Sequence, residues 1–496
     1  MGFLERVFAR PWGVHPEDRK RPAADVPAVP VAVPEKVYIP LAQHVGAPAR
    51  PVVLVGQKVL KGQCLAEAAG NISAPVHAST SGVVAAIGEI PAPHPSGLPV
   101  QAVTIAADGE DRWCEGEVPA DPFALAPQEA ARRVAAAGVV GMGGATFPSA
   151  VKLALGLRAK IDTLIVNGSE CEPYLSCDDR LMRDRAAEIV SGIRLILHAT
   201  GAREARVGIE DNKPEAIAAM GEAAARHGEI RVLPVPARYP MGSDRQLIVE
   251  LTGREVPSDA RAADVGVLVH NVGTAFAVHE ALRLGRPLVE RLVTLNGGAA
   301  ARPGNYRVPV GMLAADLFAA AGGFAGTPAR LVMGGPMMGT VLPHLQVPVV
   351  KGTSGFLALT AAEAAAREPA PCIRCGSCIR ACPMGLLPLE MSARIRAEDL
   401  SGADGLGLRD CIACGCCAYV CPSRSPLVQY FHYAKGEMSA RQRSTLRQES
   451  TRKLAAARVE RVEREAREKA EAAARRKAER DAAKARAAAA TAGEAA

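Results

Sequence analysis

The sequence PCIRCGSCIRACP at residues 371–383 is nearly repeated as DCIACGCCAYVCP at residues 410–422. Each run spaces its four cysteines as C-x2-C-x2-C-x3-C and places a proline directly after the fourth. Cysteines so close together in a tight loop let several thiolates converge on one inorganic centre, and the proline helps to turn the chain away from it. The duplication therefore predicts two metal centres held by eight thiolates.

This spacing resembles that of bacterial two-cluster ferredoxins, in which the fourth cysteine of each run ligates the cluster of the other run. The resemblance implies two [4Fe–4S] clusters with the ligand sets Cys372, Cys375, Cys378 and Cys421, and Cys411, Cys414, Cys417 and Cys382. Cys416 fits no ligand position and is interpreted as a small buried residue or a bystander. Two zinc sites of four cysteines each are the alternative, although zinc ribbons usually pair their CxxC motifs across a longer gap.

The distribution of cysteines indicates a reducing compartment. Nine of the 13 cysteines in this 496-residue chain lie between Cys372 and Cys421, and the N-terminus MGFLERVFAR has charges inside any apolar stretch that a signal peptide needs. Crowded thiols without a secretory signal are typical of metal or cluster ligands rather than disulfides.

Charge and hydropathy exclude two classes of function. The net charge is +7, but residues 451–496 carry 13 Lys/Arg against 8 Asp/Glu, and the rest of the chain carries 46 against 44. A nearly balanced fold with 4% aromatic residues is not a nucleic-acid-binding surface. The uncharged stretch 331–350 is long enough to cross a membrane, but its three prolines prevent one continuous helix.

Residues 36–112 are predicted to form an all-β domain. The short apolar runs VVLV (52–55), GVVAAI (82–87) and VQAVTIAA (100–107) are separated by Gly, Pro and Asn turns. The segment resembles the barrel-sandwich fold of lipoyl and biotinyl carrier domains, which need an acceptor lysine at a hairpin tip. There is no Lys or Arg from Gly62 to Asp111, so a structural or docking role is expected instead.

The central part of the chain is predicted to be α/β. Residues 125–260 alternate helix-like and strand-like stretches, with DTLIV (162–166) as a buried strand. Residues 265–350 are predicted to form a small mixed domain with strands at VGVLVH, RLVTLNG and ARLVMGG and one helix over 312–321. The Ala/Arg/Lys/Glu-rich residues 436–496 are predicted to form a solvated, partly helical tail.

A glycine-rich segment, AGVVGMGGATFPSAVKL, occupies residues 137–153. It is not a Rossmann fingerprint, because it follows a helix-like segment rather than a strand. Glycine backbone beside a helix N-terminus lets N–H groups approach a phosphate or a flavin ring, and Lys152 adds a positive charge nearby. The alternative is a tight turn between two helices.

The next segment, LIVNGSECEPYLSCDDRLMRD at 164–184, favours the ligand-binding interpretation. It places Asn167, Glu170 and Glu172 directly after a buried strand, which is a usual ligand position in α/β folds. Asp178 and Asp179 are interpreted as residues at the start of a helix rather than as catalysts.

The two segments resemble the flavin- and NADH-binding region of the large nucleotide-binding subunit of respiratory complex I. That family carries the motifs G-x-GGAGFP-x-G-x-K and N-A-D-E-x-E-P, and this chain departs from the first by having Thr146 and Ala150 in place of glycines. The resemblance implies that Phe147 and Glu172 face the nicotinamide nucleotide. The segments YPMGSDRQL (239–247) and HNVGTAFAV (270–278) resemble two further parts of that family. The residues that the resemblance implies as cofactor-binding are Gly141, Gly143, Gly144, Phe147, Lys152, Asn167, Glu170, Glu172, Gly242, Asn271 and Thr274.

The order of domains resembles the C-subunit family of Rnf ion-translocating electron-transport complexes. The fold class that it implies is multidomain α+β and α/β. The expected parts are an N-terminal extension (1–35), a barrel-sandwich hybrid domain (36–112), an FMN/NADH-binding α/β domain (125–260), a soluble-ligand-binding β-grasp domain (265–350), a 2x[4Fe–4S] ferredoxin-like domain (365–435) and a charged helical or disordered tail (436–496).

This resemblance implies a peripheral subunit on the cytoplasmic face of the bacterial membrane, with integral-membrane and iron–sulfur subunits of the same complex as partners. The implied activity is an NADH-linked oxidoreductase in which NAD(H) exchanges a hydride with FMN, and FMN exchanges single electrons with two [4Fe–4S] clusters. No general acid or base is assigned. Two alternatives are a soluble flavin/iron–sulfur reductase similar to cobalamin reductases and a non-enzymatic zinc-binding scaffold.

Overall fold

The structure is a computed structural model that describes residues 12–94, 96, 98–156, 158–365 and 368–493. Residues 1–11 of the predicted N-terminal extension lie outside the described residues. The helices α1 to α13 are Pro127–Ala136, Ser149–Gly156, Cys177–Asp184, Ala186–Thr200, Pro214–Ala224, Asp244–Thr252, Val272–Arg283, Ala314–Ala320, Ser377–Ala381, Pro388–Arg396, Leu400–Gly405, Cys416–Tyr419 and Leu427–Gly493. The strands β1 to β17 are Val29–Pro30, Lys36–Pro40, Arg50–Pro51, Lys58–Val59, Cys64–Glu67, Val76–His77, Gly82–Pro91, Pro99–Ala107, Thr163–Asn167, Glu204–Glu210, Ile230–Val235, Val267–Asn271, Glu290–Asn296, Gly304–Pro309, Arg330–Met333, Thr340–Val341 and Gly355–Leu359.

The N-terminal domain is built from two small antiparallel sheets, in the orders β2-β8-β7-β4 and β3-β5-β6. One apolar core, which includes Val37 and Leu65, takes residues from both sheets. The prediction of a strand at 52–55 is wrong, since the Leu54 N–H donates to the Gln57 side chain at 3.0 Å and closes a turn instead of a ladder.

A four-stranded parallel sheet with the order β11-β10-β9-β12 forms the centre of the next domain. Strand β9 contains a continuous apolar run because both of its faces are covered: Leu164 and Val166 pack into one core and Ile165 into another. The predicted boundary between 260 and 265 is wrong. Strand β12 pairs in register with β9, so it belongs to this sheet rather than to the small mixed domain.

The third sheet is mixed, with the order β1-β14-β13-β17-β15-β16, and helix α8 packs its Leu317 and Phe318 into the same core. Two of its strands lie outside the predicted range 265–350. Strand β1 comes from the predicted N-terminal extension and pairs with β14, and β17 follows residue 350 and pairs with β13 and β15.

The chain forms two compact units, and the second one joins residues 391–409 to the chain after residue 428. The insert between the cysteine runs thus groups with the C-terminal helix in this structure. Helix α13 begins at Leu427, before the predicted start of the tail at 436. Its Ala, Arg, Lys and Glu residues have high helix propensity. No helix of the described residues is both long and apolar enough to cross a membrane.

Candidate functional site

The predicted ligand residues meet at one edge of the parallel sheet. Strands β9 and β12 are parallel neighbours that end at Asn167 and Asn271. The Asn167 amide donates to the Gly242 carbonyl oxygen at 2.8 Å and accepts from the Ser169 N–H at 3.0 Å. Asn271 caps helix α7 by accepting from the Gly273 N–H at 2.8 Å. The two asparagines therefore hold the loops that follow three of the four strands.

The glycine-rich loop lies over this edge. The Gly141 N–H donates to the Phe147 carbonyl at 2.8 Å, and the Met142 N–H donates to the Thr274 hydroxyl at 3.0 Å. A Cβ added to Gly143 would lie 3.6 Å from the Cβ of Asn271. Gly143 and Gly144 are exposed, so the loop presents bare backbone to the solvent beside the sheet.

Thr146, which stands where the complex I motif has a glycine, keeps a glycine-like backbone. Its φ of +46° lies in the left-handed region, which residues other than glycine rarely adopt. The threonine at this position therefore adopts a backbone conformation that favours glycine.

Lys152 reaches the same edge from helix α2. Its Nζ donates to the Val269 carbonyl oxygen at 2.9 Å, and its burial lowers the pKa of the ammonium, an effect that Asp244 opposes. The lysine thus brings a positive charge next to the end of β12.

Glu170 turns back onto the helix that follows it. Its carboxylate accepts hydrogen bonds from the N–H groups of Asp178 at 2.7 Å and Asp179 at 3.1 Å, at the start of α3. Anionic groups are stabilised at a helix N-terminus by its unpaired N–H groups and its dipole. Glu170 thus carries negative charge in the loop between β9 and α3.

Lys20 is a residue of this region that the sequence does not point to. Its ammonium is buried and donates to the carbonyl oxygens of Glu170 at 2.8 Å, Glu172 at 2.9 Å and Leu175. Burial lowers its pKa, and the negative charge of Glu170 opposes that effect. The lysine lies in the Pro-rich N-terminal segment, where no local pattern relates it to a loop about 150 residues later.

Glu172 contacts the mixed sheet. Its carboxylate accepts from the N–H groups of Met337 at 3.0 Å and Met338 at 2.8 Å, in the loop between β15 and β16. Burial raises the pKa of Glu172 to about 7, although these two N–H groups act in the opposite direction. The predicted nucleotide ligand is thus engaged in holding a loop of the neighbouring domain.

We expect Glu172→Gln to loosen that loop. A glutamine side chain offers one acceptor oxygen and turns an N–H donor toward the second backbone N–H, which leaves that group unsatisfied at a cost of about 1–3 kcal/mol. Hydrogen exchange at the Met337 and Met338 amides should become about tenfold faster. Glu222→Gln, on the exposed side of helix α5, is the matched control. Unchanged exchange combined with a raised KM for NADH would show that Glu172 acts on the nucleotide instead.

Lys213 and Glu210 form a buried ion pair at this edge of the sheet. Their charged atoms are 2.8 Å apart, and the Lys213 ammonium also donates to the Ser169 carbonyl at 2.7 Å. Both residues lie in the segment GIEDNKPEAI, to which the motifs assign no cofactor role. The spacing of an acid and a lysine three residues apart is too common to have marked them as part of the site.

The residues at this edge fit a bound flavin mononucleotide. Ser169 is fully buried and its hydroxyl has no hydrogen-bond partner in the described part of the chain. Its Cβ lies 3.7 Å from the position that a Cβ on Gly242 would take. An unpaired hydroxyl, exposed glycine backbone and a nearby lysine are the donors that a phosphate and a flavin ring require.

The structure brings together cysteines from the two runs. Burial raises the pKa of one thiol in each predicted ligand set, and the charges of other thiols of the same set raise it further. These neighbours are Cys421 and Cys372 for Cys378, and Cys414, Cys411 and Cys382 for Cys417. Each group thus contains the fourth cysteine of the opposite run.

No three cysteine sulfurs lie close together in the described part of the chain. Tetrahedral zinc with Zn–S bonds of about 2.3 Å holds its sulfurs about 3.8 Å apart. Within the described residues, only Glu170, Cys177 and Asp178 place three potential ligand atoms within 4.8 Å of one another, and no three cysteine sulfurs do so.

The loop between β11 and α6 contacts both sites. The Tyr239 hydroxyl donates to the Cys414 carbonyl oxygen at 2.7 Å, and the Tyr239 carbonyl accepts from the Cys416 thiol at 3.8 Å. Three residues later, Gly242 accepts from Asn167. Cys416 is fully buried in this contact, as expected for a cysteine outside the ligand positions.

Four family descriptions match the chain in the order that the motifs suggested. They are "RnfC Barrel sandwich hybrid domain" over residues 9–110, "Nuo51 FMN-binding domain" over 134–280, "SLBB domain" over 292–341 and "4Fe-4S dicluster domain" over 371–425. The predicted fold class is confirmed. The flavin-domain match extends past residue 260, in agreement with the place of β12 in the parallel sheet.

Three curated relatives resemble most of the chain. The C-subunit of the ion-translocating oxidoreductase complex of Rhodobacter capsulatus is 51% identical over 88% of this chain and 84% of the relative. The C-subunit of the same name from Pseudomonas aeruginosa is 46% identical over 93% of this chain, which spans 60% of that relative. The C-subunit of the proton-translocating ferredoxin:NAD(+) oxidoreductase complex of Clostridium ljungdahlii is 44% identical over 86% of this chain and 93% of the relative.

The resemblance seen in the motifs is confirmed at these identities and coverages. The FMN-binding and iron–sulfur domains make the chain an electron-transfer oxidoreductase subunit with FMN and iron–sulfur clusters as cofactors. The chain belongs to the C-subunit family of Rnf-type ion-translocating oxidoreductase complexes.

Proposed function

We propose that this chain passes electrons between NAD(H), FMN and two [4Fe–4S] clusters as a peripheral subunit on the cytoplasmic face of the bacterial membrane. Its partners are the integral-membrane and iron–sulfur subunits of the same complex. The observation that carries the proposal is the loop from Tyr239 to Gly242, which contacts Cys414 at one end and Asn167 at the other. A path of four residues therefore joins the flavin residues to a cluster ligand.

The residues proposed for the flavin are those that the complex I motifs mark. Lys152 brings positive charge to the edge of the sheet, and Gly143 and Gly144 bring exposed backbone, while the Gly141 N–H closes the loop by its bond to Phe147. Asn167 and Asn271 keep the surrounding loops in place. When bound there, FMN exchanges a hydride with a nicotinamide and single electrons with the clusters.

The two cysteine sets differ in solvent exposure. This difference supports an order of electron transfer between the flavin and the two clusters. Cys382, Cys414 and Cys417 are buried, and Cys414 is the residue that Tyr239 contacts. Cys372 and Cys375 are exposed. We place the buried set next to the flavin and the exposed set at the exchange surface for a partner protein, since electron transfer between proteins requires a cofactor near the surface.

The test is an anaerobic absorption spectrum of the purified full chain before and after addition of NADH. We expect a flavin band together with broad iron–sulfur absorption, both of which bleach with NADH. Clusters that are present but do not bleach would overturn the nucleotide site while leaving the cluster assignment intact. A colourless protein that contains zinc would overturn the redox function altogether.

The assembly is tested by a separate experiment. Native membranes are isolated and washed with salt, and the chain is purified through an affinity tag together with whatever stays bound to it. We expect integral-membrane and iron–sulfur proteins to copurify. If the tagged chain stays fully in the supernatant and carries no partners while NADH still bleaches it, it acts as a soluble flavin/iron–sulfur reductase instead.

A further inference from the structure

Glu170 and Asp178 form a pair of carboxyl groups that the motifs do not explain. Their oxygens and the Cys177 sulfur lie within 4.8 Å of one another. Two carboxylates this close and partly removed from water cannot both stay ionised without a strong positive partner, because like charges repel most where solvent screening is weak. The question is which group carries a proton.

Positive groups surround the pair but do not bind its oxygens. Arg291 on β13 donates to the Thr353 carbonyl, and Lys20 donates to backbone carbonyls. Lys213 pairs with Glu210, and Arg183 pairs with Asp179 at 2.7 Å. Across the described ranges, none of these four cations makes an ion pair with Glu170 or Asp178. Arg291 and Lys20 therefore act on the two carboxyl groups only through longer-range electrostatic interactions.

The two carboxyl groups have different surroundings. Glu170 accepts two N–H groups at the start of α3, which stabilises its ionised form. Asp178 accepts one hydrogen bond, from the Asn271 amide at 2.6 Å. Removal from water and the charge of Glu170 raise the pKa of Asp178 to about 7. The buried Cys177 thiol is neutral too, since burial raises its pKa.

We propose that Glu170 and Asp178 hold one proton between them at neutral pH, that Asp178 carries it, and that this proton responds to charge at the flavin site. Asn271 is the connection: its amide also lies 3.5 Å from the Asn167 carbonyl, and its Cβ faces the glycine loop at Gly143. The response to the flavin rests on the proposed function. The shared proton does not.

The proposed response balances in charge and protons. When a hydride from NADH reduces the bound flavin, negative charge appears at the edge of the sheet and favours the protonated form of Asp178. Chains in which Asp178 was ionised then take up one proton from water. No covalent bond to Asp178 other than O–H forms or breaks.

The first test is an infrared titration of the oxidised full chain from about pH 5 to about pH 9, two units on either side of the expected midpoint. A protonated carboxylic acid has a carbonyl stretch that an ionised carboxylate lacks. We expect such a band at low pH and its loss around pH 7. Asp178→Asn should lose the part of the band that Asp178 contributes and keep the part from Glu172, whose pKa is also about 7. Asp184→Asn, at the exposed end of the same helix, is the control and should keep the band.

A second variant keeps the test informative if Asp178→Asn fails to fold locally. Glu170→Gln removes the neighbouring negative charge, so the band should persist in this variant but titrate at lower pH. A bound metal ion on these donors would keep Asp178 ionised throughout, and the wild type and Asp178→Asn would then show bands of equal intensity. That result would overturn the proposal.

The coupling of Asp178 to the flavin is tested by measuring the midpoint potential of bound FMN as a function of pH. We expect the pH dependence of the wild type to bend near pH 7 and that of Asp178→Asn to lose this bend. If the chain binds no flavin but the infrared band titrates as expected, the shared proton stands and the proposed function fails. If FMN binds and is reduced by NADH with no bend in the wild type, the coupling of Asp178 to the flavin is wrong.

Discussion

Cys417→Ala should lose about half of the iron and acid-labile sulfide of the wild type, because one of two clusters loses a thiolate ligand. The adjacent Cys416→Ala should keep all of it. Cys416 is buried against Tyr239 and its thiol hydrogen-bonds the Cys414 side chain, but it fits no position of the C-x2-C-x2-C-x3-C spacing. The two variants make the same chemical change at adjacent positions, so the comparison isolates ligation from loss of a thiol.

The crossed ligand sets make a stronger prediction. Cys382→Ala should remove the same cluster as Cys417→Ala, and the double variant should therefore keep about half of the iron, as each single variant does. Combining Cys417→Ala with Cys421→Ala should remove both clusters. Iron analysis and low-temperature electron paramagnetic resonance of the reduced protein measure these outcomes. If Cys417 and Cys421 prove to share a cluster, the assignment of the sets is wrong.

Gly143→Ala should weaken FMN binding about ten- to hundredfold while leaving the fold unchanged. The added methyl group meets only the Cβ of Asn271, at an ordinary contact distance of 3.6 Å, so the chain itself has room for it. A flavin lying against the exposed glycine backbone would lose that room, at a cost of about 1–3 kcal/mol for overpacking. Fluorescence titration of the deflavinated chain with FMN gives the affinity.

The control for this prediction is Gly221→Ala in helix α5. A Cβ there meets nothing within 4 Å, and alanine is the better helix former. This variant should bind FMN as the wild type does and unfold at an equal or slightly higher temperature. Equal FMN affinity for Gly143→Ala and Gly221→Ala would place the flavin away from the glycine loop.

The cysteine spacing shows how much a local pattern can predict. Ligation of a cluster requires closely spaced thiolates in a tight loop, so most ligands of a cluster lie within a few residues of one another. The eight candidate ligands could therefore be named from the sequence. The same holds for the buried strand at 162–166, because a parallel strand covered on both faces must be a continuous apolar run. The observed strand, Thr163–Asn167, differs by one residue.

Strand partners could not be read in this way. The run at 265–270 is as apolar as that at 162–166, and nothing in its residues says whether it pairs with β9 or with the strands that follow it. Pairing is decided by which edge of a sheet is free and by which helices cover it, and these depend on residues far away in sequence.

The sequence by itself determined the types of centre in this protein: thiolates at cluster spacing, a glycine loop beside a helix, and polar residues at the end of a buried strand. Only the tertiary structure decided what each polar side chain does. It placed Lys20 under the loop from 170 to 175, turned Glu172 toward Met337 and set Asp178 beside Glu170. The physical reason is that hydrogen-bond partners and desolvation depend on neighbours in space, which residue spacing along the chain does not specify.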